Sequence, residues 1–283
     1  MPPRRQPTAR QERLGVELRK LREAAGMTAR EAAGLLGTNP IQMSQMESGR
    51  AGISEERLRR LAAHYACADA ELIDALVAMA TERGRGWWEE YRGILPPTFL
   101  DLAELEHHAT FLCDLNIVHI PGVLQTESYA RAVFAYNMPE LPASELEPRV
   151  EHRMRRRVIV SRDTPTEFEA VIHEAALRIR VGDRDVSRDQ LKYVLDESER
   201  PNVTVRIIPF DVDRFSGASS SMILAGGVVP QLDTVVRDAP HGTAYLDAAS
   251  QIAGLRALFR KVEEASLDPA KSRDFIHRVM RDM

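Results

Sequence analysis

Ile41, Gln42 and Gln45 sit in the stretch "TNPIQMSQMESGR", and their types suggest one kind of chemistry. A glutamine carboxamide can hydrogen-bond an adenine edge bidentately in the DNA major groove, and an isoleucine can rest on a thymine methyl. Arg50, just past this stretch, is placed for a phosphate oxygen. Met43 and Met46 recur at helical spacing and are expected to face a core, which leaves Ile41, Gln42 and Gln45 largely off that face. The plain alternative is a set of ordinary surface residues on a small helical domain.

Presenting such a row requires a short helix with defined ends. Asn39 is a good N-cap and Pro40 suits the first helical position, so a helix is expected from about Pro40 to Ser48. Before it, "TAREAAGLLG" opens on a Thr28–Glu31 capping box and stops at Gly37. Leu14, Leu18 and Leu21 mark an earlier helix that ends at Gly26. Ser54 opens a fourth helix with acids in its first turn, and Asp69 a fifth, through about Ala80. Five short helices with a tight turn between the second and third make a helix-turn-helix arrangement. The expected DNA-facing set is Thr28 and Asn39 at helix starts, with Ile41, Gln42, Gln45 and Arg50.

The whole chain, 283 residues with formal net charge −4, has the wrong sign for DNA. The charge is uneven, however. Residues 1–60 hold 12 Lys/Arg against 7 Asp/Glu, a net +5, and the remainder holds 26 against 35, a net −9. Attraction to phosphate is a property of a local patch, so a basic head on an acidic body removes the objection. Hydrophobic content of 44% and charged content of 28% fit a soluble globular chain long enough for two domains. No run approaches the roughly 18 apolar residues that span a bilayer. The start, "MPPRRQPTARQER", lacks an apolar region, so it is read as a flexible basic arm over 1–13 rather than a secretory signal. Cys67 and Cys113 stand far apart, which argues against a disulfide framework or a thiolate zinc site and for the cytoplasm.

"LRKLREAAGMTAREAAGLLGTNPIQMSQMESGR" resembles the Xre/Cro-type helix-turn-helix of phage repressors and many bacterial regulators. Arg22, Gly26, Thr28, Ala32, Gly37, Ser44, Glu47, Gly49 and Arg50 carry the resemblance. It implies an ion pair between Arg22 of the first helix and Glu47 of the third, a structural lock between them. Two positions depart from the family. Ala29 stands where a phosphate-bracing Gln is frequent, and Pro40 where a base reader is frequent, so readout shifts onto Ile41, Gln42 and Gln45.

Gly84 and Gly86 interrupt the helical pattern, which puts a boundary near 81–86. Trp87, Trp88 and Tyr91 follow and are expected to pack a hinge, 81–100, onto a second domain. In the body, 101–283, "NIVHIPGVLQ" reads as a strand entering a Pro121-Gly122 turn. Thr126 caps the helix "ESYARAVFAY", and "ASELEPRVEHRMRRRVIVSR" is helical after Pro148. "EFEAVIHEAAL" starts as a strand, and Ser187 caps the amphipathic helix "SRDQLKYVLDESER". "NVTVRIIPF", "SSMILAG" and "DTVVRDA" are strands, and the chain ends in two helices, the second opened by Asp268-Pro269. The expected class is α+β overall: an all-α five-helix head over 14–80, then an α/β-type mixed-sheet domain covered by helices.

"IPGVLQTESYARAVF", "RVEHRMRRR", "HEAALRIRVGDRDVSRDQLKYVL" and "PNVTVRIIPF" are similar to the C-terminal domain of a large actinobacterial regulator family that includes WhiJ-like developmental regulators. Some of its members are described as antitoxin-like, with a small partner protein encoded beside them. The resemblance runs from about Leu14 to the C-terminus. The resemblance names the body without explaining its role, and the body is expected to bind such a partner or a ligand.

No catalytic constellation emerges from the residues. His173-Glu174 has no second histidine one turn on, which a zinc-protease motif needs. His107 and His108 are adjacent and splay about 100° apart on a helix. "SGASSS" at 216–221 lacks a nucleophile elbow, and Glu174 reads as a cap or ion-pair partner. The chain is therefore expected to be no enzyme, with no metal and no cofactor. Arg149, Arg153, Arg155, Arg156 and Arg157 form the densest charge run. They are either a solvated face or, centred on Arg149, Arg153 and Arg156, a site for an anion or partner protein. The reading that results is a cytoplasmic homodimer bound to double-stranded DNA at half-sites about one helical turn, or a multiple, apart. The competing reading is an antitoxin-like protein that mainly binds and neutralises a small cognate protein and autoregulates its own promoter.

Overall fold

The computed structural model describes residues 7–82, 86–136, 141–213, 215, 220–239 and 242–283. The chain divides into two compact units, Met1–Glu89 and Glu90–Met283.

The first unit holds α1 (Ala9–Ala24), α2 (Ala29–Leu35), α3 (Pro40–Glu47), α4 (Glu55–His64) and α5 (Ala70–Thr81). Thr8, Thr28, Asn39, Ser54 and Asp69 each accept a hydrogen bond from the backbone amide three residues on. Each thereby satisfies a donor the helix leaves open. Thr8 and Gln11 form a capping box, so α1 begins inside the stretch expected as a flexible arm. The Thr-x-x-Gln spacing was a readable signal for that start. The first four helices end alike. Gly26, Gly37 and Gly49 turn left-handed at φ 69°, 61° and 70°, and Ala66 does so at φ 52°. In each case the next amide reaches back five residues: Met27 to Arg22, Thr38 to Ala33, Arg50 to Gln45, Cys67 to Ala62. Leu18, Met43, Leu58, Leu61 and Leu76 make the centre of this unit and are essentially inaccessible.

A 3-10 turn, Trp87–Tyr91, and the start of α6 (Pro97–His108) occupy much of the stretch expected as a hinge. Gly84 lies outside the described residues. Beyond α6 come β1 (Phe111–Asn116), α7 (Glu127–Ala135), α8 (Ala143–Arg155), α9 (Val158–Ser161), β2 (Glu167–His173), α10 (Glu174–Arg178), α11 (Arg184–Glu197) and β3 (Val203–Ile208). Then follow β4 (Met222–Gly226), β5 (Thr234–Ala239), β6 (Gly242–Leu246), α12 (Ala249–Ala265) and α13 (Pro269–Asp282). The sheet order is β3-β2-β1-β4-β5-β6. β1, β2 and β3 run parallel, while β4 joins β1 antiparallel and leads an antiparallel meander to β6. The fold is thus α+β, a helical head followed by a six-stranded mixed sheet.

Both sheet faces are covered. Leu112, Ala170, Ile172 and Ile207 pack with Tyr129, Val194, Ile276 and Val279 on one side. Leu115, Val171, Leu224 and Val235 pack with Ile252, Phe259 and Val262 of α12 on the other. Two-sided burial explains the unbroken apolar run Ala170-Val171-Ile172 within β2.

Four local readings need correction. The first strand is Phe111–Asn116, immediately before the one expected, because Asn116 ends the pairing and Pro121 leads into a 3-10 turn. α8 starts at Ala143 and carries Pro148 inside it, where the missing amide costs a single early hydrogen bond. α11 is capped by Asp183, which accepts from Val186 N at 2.9 Å. Ser187 is instead buried and donates to the Val181 carbonyl at 3.4 Å. β6 and the 3-10 turn have no counterpart in the sequence reading.

Candidate nucleic-acid interface

α3 is amphipathic on a small scale. Met43 and Met46 are buried at 0% and 4% exposure, while Ile41 is 71% exposed. Gln42 and Arg50 are exposed and Gln45 is half-buried. Asn39 opens the helix by accepting from Gln42 N at 2.8 Å. Arg50 forms no ion pair among the described residues, and the Gln45 carboxamide forms no hydrogen bond among them. Thr28 is exposed at the start of α2, but its hydroxyl is spent. It donates to Glu31 Oε2 at 2.8 Å and accepts from the Glu31 amide at 3.3 Å. The Thr28 amide, then its hydroxyl, hold the Glu31 carboxyl below the ordinary range.

Two contacts fix α3 against α1. Arg22 Nε and Nη2 donate to Glu47 Oε1 and Oε2 at 2.6 and 3.0 Å, and Arg22 Nη1 donates to the Met27 carbonyl at 2.6 Å. Hydrogen bonding to Glu47 raises the Arg22 pKa against the opposing effect of burial. Tyr65 lies close by. Burial first, and the Glu47 charge second, push its phenol up to about 12. The second contact is backbone on backbone. A Cβ at Gly15 would stand 2.6 Å from the Glu47 carbonyl oxygen, and one at Gly49 would stand 2.7 Å from the Gln11 carbonyl. Any side chain at either place would push α3 off α1. Sequence reading missed Gly15, although a glycine inside a helix costs about 1 kcal/mol against alanine and so signals a packing reason.

In the second unit, the arginine run is committed inward. Arg156 is 4% exposed and pairs through Nε and Nη2 with Glu106 at 2.7 and 2.5 Å. Arg153 donates to Gln125 Oε1 at 2.6 Å and lies over the Phe134 ring. Arg157 donates to the Gln125 carbonyl and stacks on Tyr193. Arg155 pairs with Glu90 beside Tyr91, and Arg149 turns back to Glu145 over Phe99. Of the residues read as an anion or partner-protein site, Arg149, Arg153 and Arg156, the last is buried and committed to Glu106. Gly122 leaves room for this cluster, since a Cβ there would sit 3.1 Å from Arg156 Nη1 and 3.2 Å from Arg153 Nη1.

The same network holds the segment "IPGVLQTESY". Gln125 Nε2 donates to the Ile120 carbonyl at 2.7 Å, and Ile120 N donates to the Tyr129 hydroxyl at 3.2 Å. Gln190 of α11 accepts from Thr126 N at 2.7 Å and donates to the Leu124 carbonyl at 2.6 Å. His152, 1% exposed, packs edge-on to Tyr91 and Phe99. Burial, then Arg156, Arg153 and Arg155, push its imidazole down to about 3.

The remaining reactive types also have structural partners. Glu174 Oε1 accepts from Arg178 at 2.5 Å, and Oε2 accepts from the Phe210 amide at 2.7 Å. His173 Nδ1 accepts from Ala175 N at 3.2 Å, capping α10, and its ring stacks with Phe215. His107 and His108 meet edge to face on α6. Of the serine-rich loop, 216–219 lie outside the described residues, and Ser221 accepts from Ile117 N at 3.3 Å. Burial pushes the Cys113 thiol up to about 12. Among the described residues, no group of three His, Cys, Asp or Glu could hold a metal, and no helix is long and apolar enough to cross a membrane.

Residues 13–76 match a helix-turn-helix domain, and residues 99–278 match a domain of unknown function, DUF5753. No curated protein matches the chain. No solved structure matches it either. The first match gives the α1–α5 unit a DNA-binding fold. The second covers more than half of the chain and spans the mixed sheet with its helices, and on that ground the chain belongs to the DUF5753 family.

Proposed function

We propose that this chain is a sequence-specific transcription regulator of the Xre type that binds double-stranded DNA as a homodimer in the cytoplasm. α3 enters the major groove, Ile41, Gln42 and Gln45 meet base edges, and Arg50 meets a phosphate. The observation that carries this reading is the division of α3. Its methionines and Glu47 are buried or paired, while Ile41, Gln42 and, just past the helix, Arg50 are exposed and the Gln45 carboxamide has no partner among the described residues. The body is proposed to bind a partner protein or ligand and to support dimerisation. The reading assigns it no reaction, because Glu174, His173 and the arginine run are used in the contacts described above.

The test is a gel shift on DNA fragments from the protein's own locus, with and without the small protein encoded beside it. Retardation of a specific fragment supports regulation. No retardation at low salt, together with tight binding of the small protein, would replace it with the antitoxin-like reading. Within the same assay, Arg50→Ala should weaken all sequences about equally and lower the salt slope by about 1. A sequence-selective loss would contradict a phosphate role.

A further inference from the structure

We infer that Thr38 decides which base Gln42 reads, and that the base is guanine. This rests on the proposed docking of α3 in the major groove. Thr38 immediately precedes the Asn39 cap, and its hydroxyl donates to Gln42 Oε1. Gln42 is the third residue of α3, where a Glu or Gln side chain ordinarily turns back to the cap's own amide. Here it turns back to the Thr38 hydroxyl. The carbonyl end of the carboxamide is thereby tied to the protein, and the NH2 end of this exposed side chain has no partner among the described residues. Asn39 repeats the arrangement: its Oδ1 is taken by Gln42 N at 2.8 Å, and its NH2 remains.

The first turn of α3 therefore has its two carboxamide oxygens engaged by the protein and both NH2 groups unpaired. Guanine presents two acceptors in the major groove, N7 and O6, whereas adenine presents one acceptor and one donor. A carboxamide held through its oxygen presents NH2 donors that match guanine, and is held out of the bidentate pose in which oxygen and NH2 both meet adenine. Gln45, one turn on, has both ends of its carboxamide unspent and matches adenine bidentately. The two glutamines thus read different bases, and the difference lies in a residue that never touches DNA. Thr38 is a positioning residue, half-buried at the turn between α2 and α3.

The experiment is selection of bound duplexes from a random pool by the full chain, using wild type, Gln42→Ala, Thr38→Val and Thr38→Ser. The base position of Gln42 is the one whose preference collapses in Gln42→Ala. Wild type and Thr38→Ser should favour guanine over adenine there by about tenfold. Thr38→Val, close in shape but without the hydroxyl, should shift that position toward adenine and leave the Gln45 position unchanged. An unchanged guanine preference in Thr38→Val overturns the inference, as does a Gln42→Ala variant that alters no position. Loss of preference at every position in Thr38→Val would make Thr38 a fold residue and overturn it too. A wild-type protein that enriches no sequence sinks the DNA-reading proposal itself, and this inference with it.

Discussion

The first turns of α3 and the segment Ile120–Tyr129 are both short, and each has glutamine side chains and arginines close by. They treat those side chains in opposite ways. In α3 the Gln45 carboxamide and Arg50 are unspent, and Ile41 is mostly in solvent. In the body, Gln125 and Gln190 are 2% and 1% exposed, and each bonds backbone groups of the segment they hold. A buried amide must have partners, because an unpaired one costs about 1–3 kcal/mol. An amide at the surface can wait for a ligand. Residue type alone therefore does not separate recognition from architecture. What separates them is whether the side chain keeps an unpaired polar end at the surface.

That contrast can be broken or sharpened in steps of decreasing size. Glu106→Ala leaves the buried Arg156 charge without its partner and should destabilise the body by about 3–5 kcal/mol. Urea unfolding of wild type and variant measures it, and a change below about 1 kcal/mol would mean that Arg156 is solvated after all. His152 gives a pH signature. Burial beside three arginines disfavours its imidazolium, so the unfolded chain takes up a proton near the ordinary 6.5 and the folded chain only near 3. Its stabilisation is complete above pH 6.5 and erodes as pH falls toward 3, by up to about 1.4 kcal/mol per unit. Between pH 6.5 and 5 that comes to about 2 kcal/mol, and His152→Phe should flatten this part of the curve.

Gln45→Ala should relax base preference at one position by about tenfold, near 1.4 kcal/mol, while leaving the unfolding midpoint unmoved. A shifted midpoint with intact preference would put Gln45 on the architectural side of the comparison. The smallest effect is expected at Ala66, which holds at φ 52° the place that glycine holds at the ends of α1, α2 and α3. Ala66→Gly should raise the stability of the head by about 0.5–1 kcal/mol, because alanine is strained there and glycine is not. Thermal melts of the two proteins measure this.

How legible each unit was in the sequence follows the same division. The five helices of the head stand near their expected places because their signals are local. Caps, a proline at the first position and glycine stops are all written within a few residues of each boundary. The one early start, at Ala9, was also local and lay in the unread Thr8–Gln11 box. The body was harder where long-range pairing decides. β1 carries a buried Asp114 among its apolar residues, which blurs the alternation, and its status as central strand depends on neighbours far along the chain. Ser187 and Asp183 both had cap chemistry, and only the packed fold buries the first and leaves the second at the helix end. The site divides likewise. The exposed face of α3 was readable from its methionine spacing. The burial of Arg156 was not, because Glu106 lies on a different helix, and neither was the tie between Thr38 and Gln42, which only placed side chains reveal.

The sheet order also bears on how this chain comes off the ribosome. β1 is the first strand made and ends up third in the sheet, flanked by β2 and β4. Its first neighbour begins at Glu167 and its second at Met222, so the centre of the body waits for most of the chain to be synthesised. The five helices of the head need only each other, and short-range contacts close fast. A nascent chain therefore acquires its helix-turn-helix unit while the body is still without a sheet. Premature termination between β1 and β4 would release a finished head attached to an open strand edge.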